Sequence, residues 1–319
     1  HIETMCGHTV SPLTVVTFCR TMKEEPINVA YAVVFGCVVV LGLPLNAVSL
    51  WILIQRHRLK SPSAVFMINL ALADLLLVLS LPMRVHFYST GTWSLGVFAC
   101  TSMTMLFRNN IRASAIFITF IGVDRLLAVV FPLRSRHLRN TTNSWRACGL
   151  IWIFLMAVNT PEAVYFSRNM YDNNQNTTCF VFPANWTQQK TSIYIQACFV
   201  LTLLSVNMFS TSMVSWKLHQ LSTSGQMIDN KINVMLIFAM NLVMFVIFFL
   251  PFTVAMIVGN VTTIYTTRCL ASLNCCFDPL LYYFSLDSFW KKEDNSGSSS
   301  VKLQVSKSDL RAGETSGMK

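Results

Sequence analysis

Long stretches of this chain carry no charge, and short charged segments separate them. Residues 29–55, 147–161, 191–216 and 232–267 have none at all. The stretch 61–83 has only Asp74, and 95–130 carries Arg108, Arg112, Asp124 and Arg125. A helix crossing a bilayer needs about 20 apolar residues at about 1.5 Å each. The run 232–286 is too long for one crossing and just long enough for two, and Gly259-Asn260 marks the break because both residues favour turns. The pattern predicts an all-α membrane protein: a seven-transmembrane helix bundle followed by a short amphipathic C-terminal helix. The spans fall near 28–55, 62–88, 96–130, 145–166, 191–218, 231–257 and 262–284. The link between the last two is then about five residues long.

Composition agrees. Of 319 residues, 53% are hydrophobic and 12% charged, about half the charge of a soluble domain. That excludes a disordered chain and disfavours a soluble enzyme. A formal charge of +10 on a soluble protein would suggest nucleic acid. Here the excess lies in short loops and reads as topology, with no nucleic acid partner. Arg56, Arg58 and Lys60 follow the first span. Arg134, Arg136, Arg139 and Arg146 follow the third, Lys217 and Lys231 the fifth, and Lys291-Lys292 the seventh. The positive-inside rule puts these segments in the cytoplasm and the N-terminus outside, in the plasma membrane. Asn176 and Asn185, both in Asn-x-Thr sequons, then lie outside and are open to glycosylation, whereas Asn140 lies inside.

Three regions follow: an extracellular segment 1–27, a membrane domain 28–290 and a disordered cytoplasmic tail 291–319, rich in Ser, Gly and charge. The tail is either a passive end or a phosphorylated segment that recruits arrestin and a kinase. No basic-then-apolar leader precedes residue 25, so the first span serves as its own insertion signal. The ten cysteines lack the paired spacing of a zinc site, and Cys275-Cys276 read as packing thiols. Cys6 and Cys19 pair with each other or with Cys269, which looks too deep for an outer bridge.

Polar groups inside the spans carry the chemistry. Asp74 sits mid-span in Asn69-Leu-Ala-Leu-Ala-Asp74, and Asp278 in Asn274-Cys-Cys-Phe-Asp278-Pro279-Leu-Leu-Tyr282. Asn46, Asn110 and Ser114 lie at similar depth. Such charges are costly in lipid and mark function. Oxygen ligands of this kind suit a hard cation or a proton, the alternative being hydrogen-bonded glue between helices. Asp124-Arg125 lies at the inner end of the third span. There Arg125 either pairs with its neighbour until a partner draws it away, or snorkels to the interface.

Gly42-x-x-x-Asn46, Asn69…Asp74, Asp124-Arg125, Trp152, Pro251 and Asn274…Asp278-Pro279-x-x-Tyr282 resemble, span by span, a rhodopsin-like (class A) G-protein-coupled receptor over about residues 28–290. The resemblance implies a receptor that promotes nucleotide exchange on a heterotrimeric G protein, with Asp124, Arg125 and Tyr282 in coupling. It implies an allosteric sodium pocket of Asp74, Asn110, Ser114, Asn274 and Asp278, and no other cofactor. It also implies a disulfide from Cys100 to Cys179. The chain departs from the family at Leu126, where Tyr is usual, and at Phe249, where many members have Trp. The fifth span lacks a proline and carries Thr211 where many members have Tyr. These departures leave open a receptor-like protein that does not signal.

Within the family, Leu79-Ser-Leu-Pro82-Met-Arg84, the segment 123–139, Cys179-Phe180 and Asn274…Phe284 resemble the purinergic-type branch. They are most similar to the non-endothelial-differentiation-gene lysophosphatidic acid receptors, with nucleotide and orphan receptors as the alternative. The residues themselves favour an anionic ligand. Arg108 and Arg112 are one helical turn apart and share a face. Arg84 and His86 lie at the outer end of the second span. Together these groups can build a patch for a phosphate, with Tyr88, Trp93, Arg168 and Lys190 at its rim. Arg84 has the alternative of reaching out to water, and Arg112 of being neutralised by Glu162. Twenty-three Phe and sixteen Met suit an acyl chain and equally suit ordinary packing.

Two other classes have less support. A transporter using Asp74 and Asp278 would show inverted repeats, and none is visible. A membrane enzyme would need a motif such as H-E-x-x-H or G-x-S-x-G, and neither occurs.

Overall fold

The computed structural model describes residues 12–57, 61–172, 179–180, 190–223 and 231–283, with the side chains at 12–28, 56–57, 172, 190, 221–223 and 231–233 outside that description. The described chain is helical and contains no strand. Helices α1 (Pro12–His57), α2 (Pro62–Thr90), α3 (Gly96–Val130), α4 (Thr141–Asp172) and α5 (Lys190–Thr223) form the first five spans. The sixth span is α6 (Lys231–Met244), a π-helical turn (Phe245–Phe249) and α7 (Leu250–Val258), run together without a break. The seventh is α8, over 261–283. Six of these spans are long and apolar enough to cross a membrane, and α8 carries Arg268, Asn274 and Asp278.

The charge-free runs locate the spans, and α3 begins and ends where the pattern puts it. Helix α1 is the exception. It extends for 46 residues and starts well before the apolar run at Val29. Apolar pattern marks where lipid begins, not where a helix begins.

The π turn has a local cause. Pro251 has no N–H to close the ladder behind it, and the Leu250 N–H reaches back five residues to the Phe245 carbonyl. The sixth span then stops at Gly259, whose φ of 83° and N–H bond to Ala255 O (2.9 Å) make a left-handed cap. Asn260 at once caps the next helix, its Oδ1 accepting the Thr263 N–H at 3.1 Å. The link is therefore Gly259-Asn260 alone, shorter than the five residues expected, because one cap abuts the next.

Helices α2 and α3 form the centre, with 78% and 61% of their apolar windows buried against 22% for the first and fourth spans. The outer faces carry Val40, Trp51, Leu150, Ile153 and Phe209 towards lipid. Many of the polar residues that lipid would penalise are therefore on α2, α3 and the facing side of α8, joined by Asn46, Asn159, Asn207 and Asn241 from the other spans. At Gly42 a Cβ would stand 3.1 Å from Val78 and 3.2 Å from Cys275, so glycine sets how closely α1 approaches. Asn46 Nδ2 then reaches the Cys275 carbonyl at 2.7 Å. Trp152 donates to Asn69 Oδ1 at 2.9 Å and ties α4 to α2. Cys275 and Cys276 are packing thiols, and Cys269 is buried and free. The side chains of Cys6 and Cys19, the amphipathic C-terminal helix, the tail and the sequons at Asn176 and Asn185 lie outside the described residues.

Candidate functional site

In the outer half of the bundle, Arg84 of α2, Arg108 of α3 and Arg268 of α8 line one cavity, and among the described residues Glu162 of α4 is the carboxylate that joins them. Thr104, Phe107, Ile111, Gln196, Phe252 and Met256 are among the other walls. The cavity holds ≈ 40 Å³, room for about three waters and so for the polar end of a ligand.

Arg84 is the unusual member. It is fully buried, and its Nε and Nη1 have no hydrogen-bond partner. Its guanidinium lies 4.5 Å from the Phe107 ring centroid and 4.1 Å from that of Phe180. Two aromatic faces soften the burial of a cation but do not replace an anion. Arg268 approaches the Phe107 ring from α8, at 5.8 Å.

Phe180 is held over Arg84 from several directions. The Cys100–Cys179 disulfide ties its neighbour to α3, with Cα atoms 5.8 Å apart. The Tyr265 hydroxyl donates to the Phe180 carbonyl at 3.1 Å. Its ring meets Phe87 and Trp93 edge-on at 5.6 and 5.4 Å. Its φ of 62° is rare for a bulky residue, and these contacts maintain it.

The sequence-derived cationic patch divides here. Arg84 and Arg108 reach the cavity, and Arg84 turns inward, not out to water. Arg112 lies one turn deeper. Its guanidinium donates to Glu162 Oε1 at 2.6 Å, Asn159 Oδ1 at 2.5 Å and Gln196 Oε1 at 3.3 Å, so it is neutralised by Glu162. His86 and Arg168 are exposed and outside the lining, and the Lys190 side chain lies outside the described residues. Tyr88 and Trp93 are buried in the aromatic roof. Arg268 was missed as a site residue. Its signal was present: it is the one cation between residues 232 and 283.

Deeper, the oxygen-rich residues meet. Asp74 Oδ1 accepts from Asn110 Nδ2 at 2.9 Å and from Ser114 Oγ at 3.5 Å. Asn274 Nδ2 donates to Asp278 Oδ2 at 2.6 Å, and Asp278 faces Asp74. Asp74 Oδ2, Asp278 Oδ1, Asn274 Oδ1, Asn46 Oδ1 and the Tyr282 hydroxyl are buried without partners. Five orphaned oxygens around two carboxylates fit a hard cation with its waters.

At the inner end, the expected Asp124–Arg125 pair does not form. Asp124 accepts from Arg139 Nε at 2.8 Å and Nη2 at 3.2 Å, and from the Ser63 hydroxyl. Adjacent residues on a helix point in different directions, and Arg139, in the turn after α3, offers a two-pronged donor instead. Arg125 Nε is buried without a hydrogen-bond partner.

Residues 45–282 match the family described as 7 transmembrane receptor (rhodopsin family). The chain is 33% identical over 310 residues to lysophosphatidic acid receptor 6 of Mus musculus, covering 90% of this chain and 88% of that one. It is 33% identical over 278 residues to lysophosphatidic acid receptor 4 of Homo sapiens, covering 81% and 75%. It is also 29% identical over 296 residues to cysteinyl leukotriene receptor 1 of Mus musculus, covering 86% and 83%.

Proposed function

Because this multi-pass chain belongs to the rhodopsin family of seven-transmembrane receptors, we propose that it is a plasma-membrane receptor for a lipid phosphate monoester such as lysophosphatidic acid. The observation that carries this reading is Arg84, fully buried in a cavity that Arg108 and Arg268 also line, with its Nε and Nη1 unpartnered. A phosphate monoester carries about 1.5 to 2 negative charges near neutral pH and offers three acceptor oxygens. It would give the unpartnered Arg84 donors the anion that their burial requires. Ile111, Phe252 and Met256 line the same cavity and offer apolar surface for the start of an acyl chain.

The N-terminus faces outside, with Asn176 and Asn185 glycosylated and residues 291–319 inside as a tail for kinase and arrestin. Ligand binding favours an open state of the bundle in which the half-buried Arg125 engages the G protein. Membranes expressing the chain should show GTPγS exchange on a G protein when 1-oleoyl-lysophosphatidic acid is added. A folded, surface-expressed protein that binds this lipid without exchange would favour the non-signalling alternative. One that binds no phosphate lipid would end the reading.

Asp74, Asn110, Ser114, Asn274 and Asp278 would hold a sodium ion, which supplies positive charge between the two carboxylates when bound. The orphaned oxygens support this assignment. Sodium binding only the folded state should raise the thermal midpoint relative to choline at equal ionic strength. Asp74→Asn should abolish that difference, and a midpoint in the variant that still tracks sodium would remove Asp74 from the site.

A further inference from the structure

We propose that Gln196 is a further ligand-binding residue of the cavity, its amide nitrogen donating to the carbonyl of an acyl ester and so favouring ester-linked over ether-linked lysolipids. The proposal rests on the phosphate-lipid reading above and deepens it.

Gln196 lies on α5 and lines the cavity. Its Oε1 accepts from Arg112 Nη2 at 3.3 Å. A guanidinium has five N–H donors and no acceptor, so only the oxygen of an amide can face it. Arg112 is itself fixed. It is buried, and it donates to Glu162 Oε1 at 2.6 Å and to Asn159 Oδ1 at 2.5 Å. Asn159 donates onward to Asn109 Oδ1 at 2.8 Å. The orientation of the Gln196 amide is therefore set from behind, by a cation outside the cavity lining. The amide nitrogen keeps two N–H donors and has, among the described residues, no hydrogen-bond partner.

The place of Gln196 selects the acceptor. Arg84 stands on α2, which packs against α1, α3 and α4, whereas Gln196 stands on α5, which packs against α3, α6 and α7. The two side chains reach the cavity from different sides. Beside Gln196, α5 and α7 contribute Ile193, Phe252 and Met256 to the lining and, among the described residues, no charged group. With the phosphate held at Arg84, the part of a lysolipid that meets these walls is the linkage between glycerol and chain. An ester there offers a carbonyl, an uncharged acceptor suited to a neutral amide donor. An ether has no carbonyl, and its chain would cover the amide and leave those N–H groups buried and unpaired, at a cost above that of the lost bond alone. A site built to hydrogen-bond one group of a ligand rejects the analogue lacking it for this reason.

The test is equilibrium binding of 1-oleoyl-lysophosphatidic acid and its 1-O-oleyl ether analogue to the full chain in lipid nanodiscs. The parent is compared with Q196M and Q196E, and the readout is the ester-to-ether affinity ratio. Partitioning of each lipid into the nanodisc is common to all three proteins and cancels. Q196M removes both amide groups. Q196E keeps an oxygen for Arg112 and exchanges only the nitrogen for a second oxygen. Thermal midpoints without ligand check the fold, and where Q196M does not fold, Q196E carries the test. The parent ratio should exceed that of each variant by at least about fivefold. Q196E should also weaken both lipids by repelling the phosphate, an effect the ratio does not feel.

A ratio kept in either variant would overturn the proposal. Kept in Q196E, it would make the bond to Arg112, not the amide nitrogen, the part that counts. Kept in Q196M, it would mean that the site needs no donor there, even if both lipids bind more weakly. In either case a parent that binds the lysolipid leaves the phosphate-lipid reading standing. A parent that binds neither lipid would overturn that reading and this proposal with it.

Discussion

Arg84→Met should lower the affinity for lysophosphatidic acid by at least about 100-fold while raising the thermal midpoint of the ligand-free protein. The two effects have opposite signs for one reason. Arg84 is fully buried, and two of its three nitrogens have no hydrogen-bond partner. A hydrogen bond to a charged group contributes about 1.5–3 kcal/mol, so losing two of them to a phosphate costs about 3–6 kcal/mol. That range begins above a hundredfold. Without ligand the same cation is a burden, offset only by the rings of Phe107 and Phe180 at 4.5 and 4.1 Å. Methionine fills much of the same volume without charge. Radioligand binding and thermal unfolding of the same purified samples check both signs. A drop in both would make Arg84 a structural post, and unchanged affinity would move the headgroup elsewhere.

Cys100→Ser should destabilise the protein by about 2–5 kcal/mol and speed dissociation of the lysolipid. The bridge closes a loop over a sequence separation of 79 residues, long enough for a large effect on the unfolded chain. Its second consequence is local. Cys179 precedes Phe180, and Phe180 is the ring seated on Arg84. Untying Cys179 leaves that ring held by the Tyr265 hydroxyl and by its edge contacts with Phe87 and Trp93. Water then gains access to the guanidinium, and charge-assisted bonds weaken as local polarity rises. Thermal unfolding measures the first effect and a ligand-washout time course the second. A lowered midpoint with an unchanged washout rate would separate the disulfide from the pocket.

The sequence reading succeeded where one local rule governs. Uninterrupted apolar runs located the spans, the Gly259-Asn260 pair marked the break, and Cys275-Cys276 pack as inferred. It fell short where a partner comes from far along the chain. Arg108 and Arg112 share one face of α3, and the sequence offered Glu162 as a partner for Arg112 without settling whether Arg112 serves the cavity. They differ because Asn159, Glu162 and Gln196, from α4 and α5, close around Arg112, whereas Glu162 alone reaches Arg108, at 3.3 Å. Asp124 looked like the partner of Arg125, yet it serves Arg139, fifteen residues on. Arg268 reads as one more charge near a helix end until α8 is packed against α2 and α3. Periodicity reports which face is buried, not which side chain of another helix will meet it.

The short link after the sixth span gives the bundle a lever. Gly259 and Asn260 cap their two helices back to back, so the outer ends of α7 and α8 cannot part. The apolar part of the sixth span, Val234–Val258, has 25 residues and is about 37 Å long. Pivoting about that pinned outer end, a tilt of about 10° carries the inner end sideways by about 6 Å. Near the cavity the same tilt displaces Phe252 and Met256 by about 1–2 Å. A slight rearrangement of the cavity walls is thus magnified several-fold by leverage before it reaches the opposite end of the span, the end nearer Arg125.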